Sequence, residues 1–305
     1  MAMVNISIPL KTAHGDGFYQ AKGVAPKNLF GYRLGLKIDN PYLYLVLENV
    51  PSEVAAEVLE KVRALLPWAA VRLDFGILAA KGDLRFTDAA IFDGQFPVAH
   101  GPDITPSPIR IESNHKTEEA DALLFSALVE GSELDAFDPL KLRKKFRLAC
   151  EIFASVDFEA SANAQFLALI SILEILADPA PRPGQCISII EDAMTRMKDE
   201  AKAAGDTLIR QALEDMHRGA EHWKKESIRS SIRRLGTDVS RKMGDADPAA
   251  VGRAAVNLYD KRSLVVHEGV GASLRDVADT RKIVREAIAV EADCFEHIRG
   301  RFPLA

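Results

Sequence analysis

Near its C-terminal end the chain reads LYDKRSLVVHEGVG, from Leu258 to Gly271. Arg262 and His267 stand five positions apart, with Ser263 directly after the arginine and Tyr259 one turn before it. Histidine titrates near neutral pH and can move protons. Arginine keeps its charge and offers a phosphate two parallel hydrogen bonds. Cutting RNA without a metal needs a base for the 2′-hydroxyl proton and an acid for the 5′-oxygen leaving group. It also needs a fixed cation beside the phosphorane charge. One chain supplies one histidine in this stretch, whereas two chains about a twofold axis supply two, with two arginines in one cleft. Dimerisation therefore belongs to the chemistry.

The same residues also suit a plain helix end. Gly269 or Gly271 can take the left-handed cap. A protonated His267 in the last turn gains roughly 0.3–1 kcal/mol from the helix dipole, and Lys261 and Arg262 are helped likewise. On an ideal α-helix five residues turn through about 140°, so Arg262 and His267 need not share a face. Ser263 can satisfy its hydroxyl on its own helix backbone. Tyr259 either orients Arg262 or is a core aromatic with a wet hydroxyl.

Two further features bear on this chemistry. Glu174 is the one charged residue in FLALISILEILA. A buried carboxylate costs several kcal/mol unless a cation meets it, on the order of the penalty for an unpaired ion. Pairing with Arg262 or Lys261 would hold the motif helix in place, while an exposed helix edge would need no partner. The segment from Lys224 to Lys242 carries seven basic and two acidic side chains. In it Lys225, Arg229 and Arg233 recur every four residues, a row suited to RNA phosphates or to a solvated face paired with nearby acids.

The elements that must position these residues follow two grammars. In NLFGYRLGLKI, Phe30, Tyr32, Leu34, Leu36 and Ile38 alternate with Gly31, Arg33, Gly35 and Lys37, the period of a half-buried strand. VRLDFGI repeats it with Val71, Leu73, Phe75 and Ile77, and YLYLVLE reads as a strand covered on both faces. Between them Ala55, Leu59, Val62 and Leu66 predict a helix that starts at Pro51 and ends near Pro67. The proline-rich stretch from Pro97 to Ala120 predicts a linker, which places a domain boundary near residue 115.

Beyond it the period becomes 3.6. Leu142, Phe146, Ala149, Phe153 and Val156 form one stripe, and AQFLALISILEILADP is apolar nearly all round. Amphipathic helices are expected over 186–202, 206–218 and 226–243, then one opened by Pro248 and one over 273–297. The expectation is an α+β protein: a small mixed domain over 1–115 and an all-helical bundle over 116–305.

Composition limits the function classes. The net charge is −5, with 12 basic and 12 acidic residues in the first 116 positions and the excess acid in the remainder, so any basic surface is local. Cys150, Cys186 and Cys294 form no CxxC pair, which excludes a zinc-cluster or disulfide framework and fits a reducing cytoplasm. No secretory signal or membrane-spanning run is read. No phosphate-cradle, dinucleotide or HExxH motif occurs, and His217 and His222, five apart, read as surface residues. Neither a cofactor nor a metal is expected.

Arg262-Ser-Leu-Val-Val-His267 matches the R-x4-H signature of HEPN domains, with the small polar residue after the arginine. LYDKRSLVVHEG, preceded by FRLACEIFASVDFEASANAQFLALISILEILAD and by ESIRSSIRRL, resembles the Apea-like HEPN branch over about residues 138–300. The resemblance implies a helical bundle, a homodimer that brings two motifs together and, in many members, metal-independent ribonuclease activity in phage defence or as toxins. It assigns His267 as acid/base, Arg262 as phosphate clamp and Ser263 as the polar neighbour. RNA is the expected partner, with room for a regulatory protein. Other members do not cut and serve as modules that bind a nucleotide, RNA or protein.

Overall fold

A computed structural model of the protein describes residues 2–12, 27–39, 42–87, 97–101, 118–134 and 143–293. The strands are β1 (Met3–Thr12), β2 (Lys27–Leu29), β3 (Tyr32–Asp39), β4 (Tyr42–Pro51), β5 (Ile77–Ala79), β6 (Arg85–Phe86) and β7 (Val98–His100). The helices are α1 (Ala55–Leu73), α2 (Glu118–Glu133), α3 (Lys144–Ser155), α4 (Ala162–Leu176), α5 (Gly184–Ala203), α6 (Thr207–Ala220), α7 (Ile228–Met243), α8 (Pro248–Ser263) and α9 (Leu274–Glu291). The fold is α+β, with α1 set among the strands and α2 to α9 following them. Among the described residues no helix is long and apolar enough to cross a membrane.

The backbone divides into two compact units, Met1–Ile172 with Gly271–Ala305, and Leu173–Val270. The division does not fall at residue 115. Helix α1 packs on α2 and α3 as well as on the sheet, so the N-terminal unit recruits helices from the far side of the expected boundary. Of the expected linker, Val98–His100 is strand β7, buried and paired with β1. Residues 102–117 lie outside the described ones.

In this first unit the sheet order is β2-β3-β4-β1-β7-β6, with β5 also paired to β1. Ile6, Ile8 and Leu10 of β1 face Leu47, Leu45 and Leu43 of β4 in register. With Val58, Leu59, Val62, Leu66 and Leu73 of α1 they form one buried core. Leu43 to Leu47 are all buried, as the apolar run implied.

Two strand expectations need correction. NLFGYRLGLKI is not one strand but a hairpin, β2 and β3, turning at Phe30 (φ 55°) and Gly31 (φ 85°). Two positive φ angles are what a two-residue hairpin loop demands, and phenylalanine there gave no warning. Helix α1 does not stop at Pro67 but runs on to Leu73, taking Val71 and Leu73 out of the expected strand. Trp68, Ala69, Ala70 and Val71 are all fully buried, so core packing outweighs the hydrogen bond that the proline removes. Only Ile77–Ala79 of that stretch is strand.

The C-terminus of α1 is held by α9. Asp74 caps the helix in the left-handed conformation. Arg281 donates from Nε to Asp74 Oδ1 (2.7 Å) and from its two terminal nitrogens to both oxygens of Asp157 (2.6 and 3.0 Å). Burial pushes the Arg281 guanidinium toward deprotonation, but Asp157 and Asp74 outweigh it and leave its pKa raised. Arg285 donates to the carbonyls of Val71 and Arg72, both at 2.8 Å, which have no partner inside the helix.

The second unit holds the end of α4 and helices α5 to α8. Helices α6 to α8 start at side-chain caps: Asp206 accepts from the Leu208 and Ile209 amides, Ser227 from Ser230, and Asp247 from Ala250 ahead of Pro248. Helices α7 and α8 approach closely through two glycines. A Cβ on Gly252 would lie 2.7 Å from the Arg233 carbonyl, and one on Gly236 only 3.1 Å from the Ala255 Cβ.

Candidate functional site

Arg262 sits in the last turn of α8, and the chain then changes its winding. Leu264–Glu268 forms a π-turn, closed where the Gly269 amide donates to the Leu264 carbonyl. Gly269 has φ 69° and is the left-handed cap, whereas Gly271 is not. In a π-turn the hydrogen bonds join residues five apart, so five-residue steps stack on one side. The departure from ideal α-helix begins after Ser263. It underwinds the step to His267 relative to the roughly 140° of a straight helix.

Glu174, near the end of α4, meets Arg262 and not only solvent: Arg262 Nε lies 3.5 Å from Glu174 Oε1. Neither partner is sealed, since the side chains are 40% and 27% exposed. The contact uses the inner nitrogen of the guanidinium. Among the described residues its two terminal nitrogens make no hydrogen bond, and these are the nitrogens of the fork that suit a phosphate. Tyr259 is half-buried beside this pair. Burial raises its phenol pKa, the Glu174 charge raises it further and Arg262 opposes both.

His267 and Ser263 are exposed. Among the described residues neither side chain makes a hydrogen bond within the chain. Leu264, Val266 and Val270, on and beside the π-turn, are also exposed, at 40%, 51% and 44%. The structure thus brings Arg262, Glu174 and Tyr259 together and leaves Ser263 and His267 open to solvent nearby in the chain. One copy holds a guanidinium braced by a carboxylate and one unrestrained imidazole.

The basic row does not form as expected. Helix α7 begins at Ile228, so Lys225 lies before it, in a short bridge with Pro181. Arg229 donates from Nε and Nη2 to both oxygens of Asp260, at 2.8–3.1 Å. That pair depresses the Asp260 carboxyl and raises Arg229. Arg233 is exposed close to Asp260 and helps depress it. Three more cations of the segment are paired: Lys224 with Glu191 and Glu221, Arg234 with Glu226, and Arg241 with Asp238. Glu226 and Asp238 are the segment's own two acids, while the Asp260 that holds Arg229 comes from α8 and was not visible in the local composition.

Asp260 and the Gly236–Gly252 contact were missed in the sequence. Asp260 sits next to Tyr259 in the motif itself, a carboxylate whose four-residue-spaced neighbours gave no sign of a partner 31 positions away. Elsewhere, Ser7 Oγ lies 3.0 Å from His100 Nε2, but both residues are 1% exposed, so no substrate reaches them. Among the described residues no group of three or more His, Cys, Asp or Glu could hold a metal. Of the cysteines, Cys150 is buried with its thiol pKa raised by burial, Cys186 is exposed, and Cys294 lies outside the described residues. Comparison with protein-family models, with curated proteins and with solved structures finds no match.

Proposed function

We propose that the chain is a metal-independent RNA endonuclease of the HEPN type, acting as a cytoplasmic homodimer. In this reading His267 takes the 2′-hydroxyl proton, and His267 of a second copy protonates the 5′-oxygen that leaves. The 2′-oxygen attacks the phosphorus, the bond to the 5′-oxygen breaks, and the products carry a 2′,3′-cyclic phosphate and a 5′-hydroxyl. Arg262 neutralises the charge that builds on the phosphorane. Ser263 adds a hydroxyl donor to the phosphate or the imidazole, and Tyr259 and Glu174 set the arginine. A defence or toxin role rests on the resemblance to Apea-like HEPN domains.

The observation that carries the reading is the braced arginine. Arg262 Nε forms an ion pair with Glu174 at 3.5 Å, while His267 stays exposed. The exposed aliphatics Leu264, Val266 and Val270 beside the motif suit burial against a second copy. The test is incubation of purified protein with labelled RNA in chelator. Cutting that disappears in both Arg262→Ala and His267→Ala supports the enzyme. Binding without cutting by the wild type supports the alternative, a non-catalytic module. Equal cutting by the variants means a contaminant.

A further inference from the structure

Helices α5 and α6 enclose a groove of about 680 Å³, within the size range of ligand sites. Its walls carry Lys198 and Lys202 from α5, and Arg210, His217 and Arg218 from α6, against the single carboxylate of Glu214. The whole chain is acidic, so this concentration of cations in a concave surface is unusual for it. Lys202 pairs with Asp199 and Arg218 with Asp215, but these are exposed neighbours three residues apart on their own helices. Such pairs hold little energy and yield readily to a multivalent anion. Arg210 donates to the Ala204 carbonyl at 2.9 Å, which fixes its guanidinium at the groove's closed end of the helix hairpin. Lys198 makes no ion pair among the described residues.

No Phe, Tyr or Trp lines the groove, and His217 is the one ring in its wall. Long cations are what sequence-indifferent contact to phosphates requires. On α7 the middle member of the row, Arg229, is held by a bidentate pair with Asp260, whereas Lys198 in the groove is not paired among the described residues. We propose that the α5–α6 groove, not the α7 row, grips the backbone phosphates of single-stranded RNA, with Lys198, Lys202 and Arg210 as the principal contacts. The proposal deepens the ribonuclease reading and rests on it for the identity of the polyanion. Glu214 limits how closely a phosphate approaches its side of the groove.

The test uses the full chain carrying His267→Ala, so that no substrate is consumed, and a fluorescent single-stranded RNA read by anisotropy at several salt concentrations. Lys198→Gln with Lys202→Gln should weaken binding about tenfold and flatten the salt dependence by roughly 0.7 per lost contact. Adding Arg210→Gln should weaken it further. Because Arg210 also holds the Ala204 carbonyl, the lysine pair alone decides if the triple variant misfolds. Lys242→Gln with Arg253→Gln removes the same charge outside the groove and should leave affinity within about twofold. Equal weakening by that control, or unchanged affinity in the groove variants, overturns the proposal. So does displacement of RNA by equimolar inorganic triphosphate, which would make the groove a small oligophosphate site. Loss of cutting with groove-dependent binding intact would sink the nuclease reading alone. Wild-type cutting that survives the groove substitutions would sink the groove alone.

Discussion

Arg262 Nε lies 3.5 Å from Glu174 Oε1, and the two residues come from the ends of different helices, 88 positions apart in the chain. The contact is made through the nitrogen that a phosphate clamp can spare. It therefore orients the arginine without occupying the edge that would meet a ligand. Tyr259 lies against the same pair and feels both charges.

Glu174→Ala should cost more activity than stability. With both partners partly exposed the pair is worth only about 0.2–1 kcal/mol, a small loss in melting temperature. Cleavage should fall about tenfold or more because the arginine loses its orientation. Thermal melts and initial cleavage rates read the two effects. A variant unchanged in both shows that the brace does not matter.

The Arg229–Asp260 pair gives a pH signature. Arg229 holds the Asp260 carboxyl below its ordinary value of 3.8. A depressed folded-state pKa adds stability above the unfolded value, and that stability disappears as pH falls through the folded value. Melting curves of the wild type and Asp260→Asn should therefore differ at pH 7 and converge in acid below that ordinary value. A gap that persists unchanged to low pH would mean that the depression is not real. The same substitution releases Arg229, so it should raise RNA affinity if α7 can touch RNA at all.

How much of this was legible in the sequence depends on how far apart the partners are. Helix starts marked by Asp206, Ser227, Asp247-Pro248 and Ser273 were close to readable because cap and helix are neighbours. Glu174 stood out because a lone charge in an apolar helix demands a partner, and the candidate cations were few. The hairpin at Phe30–Gly31 hid behind an unbroken alternation, since a two-residue turn preserves the period of the strands it joins. Pro67 misled because local propensity ends a helix that tertiary burial continues. Arg281 gave no signal at all, its acids lying 207 and 124 positions away.

Arg281→Met should destabilise the first unit by about 3–5 kcal/mol, since it leaves Asp157 largely buried without its cation. Urea titration followed by near-ultraviolet circular dichroism reports the loss. A midpoint equal to the wild type would show that Asp157 is satisfied by the Gly76 amide alone.

Gly252→Ala should be worse than Gly236→Ala. The first pushes a methyl to 2.7 Å from the Arg233 carbonyl, while the second meets the Ala255 methyl and the backbone of Gly252 and Val251 only at 3.1–3.3 Å. Overpacking of this kind costs about 1–3 kcal/mol, more than alanine recovers in helix propensity. Denaturation midpoints rank the two, and the reverse order would mean that α7 and α8 cross differently.

The central claim is that the Arg262–His267 motif transfers a phosphoryl group using the RNA's own 2′-hydroxyl. The most direct measurement is mass spectrometry of the ends left when purified protein cuts RNA in chelator, beside the same sequence with 2′-deoxy sugars. The account predicts 2′,3′-cyclic phosphate and 5′-hydroxyl ends from RNA, an uncut deoxy strand, and no products from His267→Ala. Ends bearing a 3′-hydroxyl, cutting of the deoxy strand, or full activity in His267→Ala would contradict it.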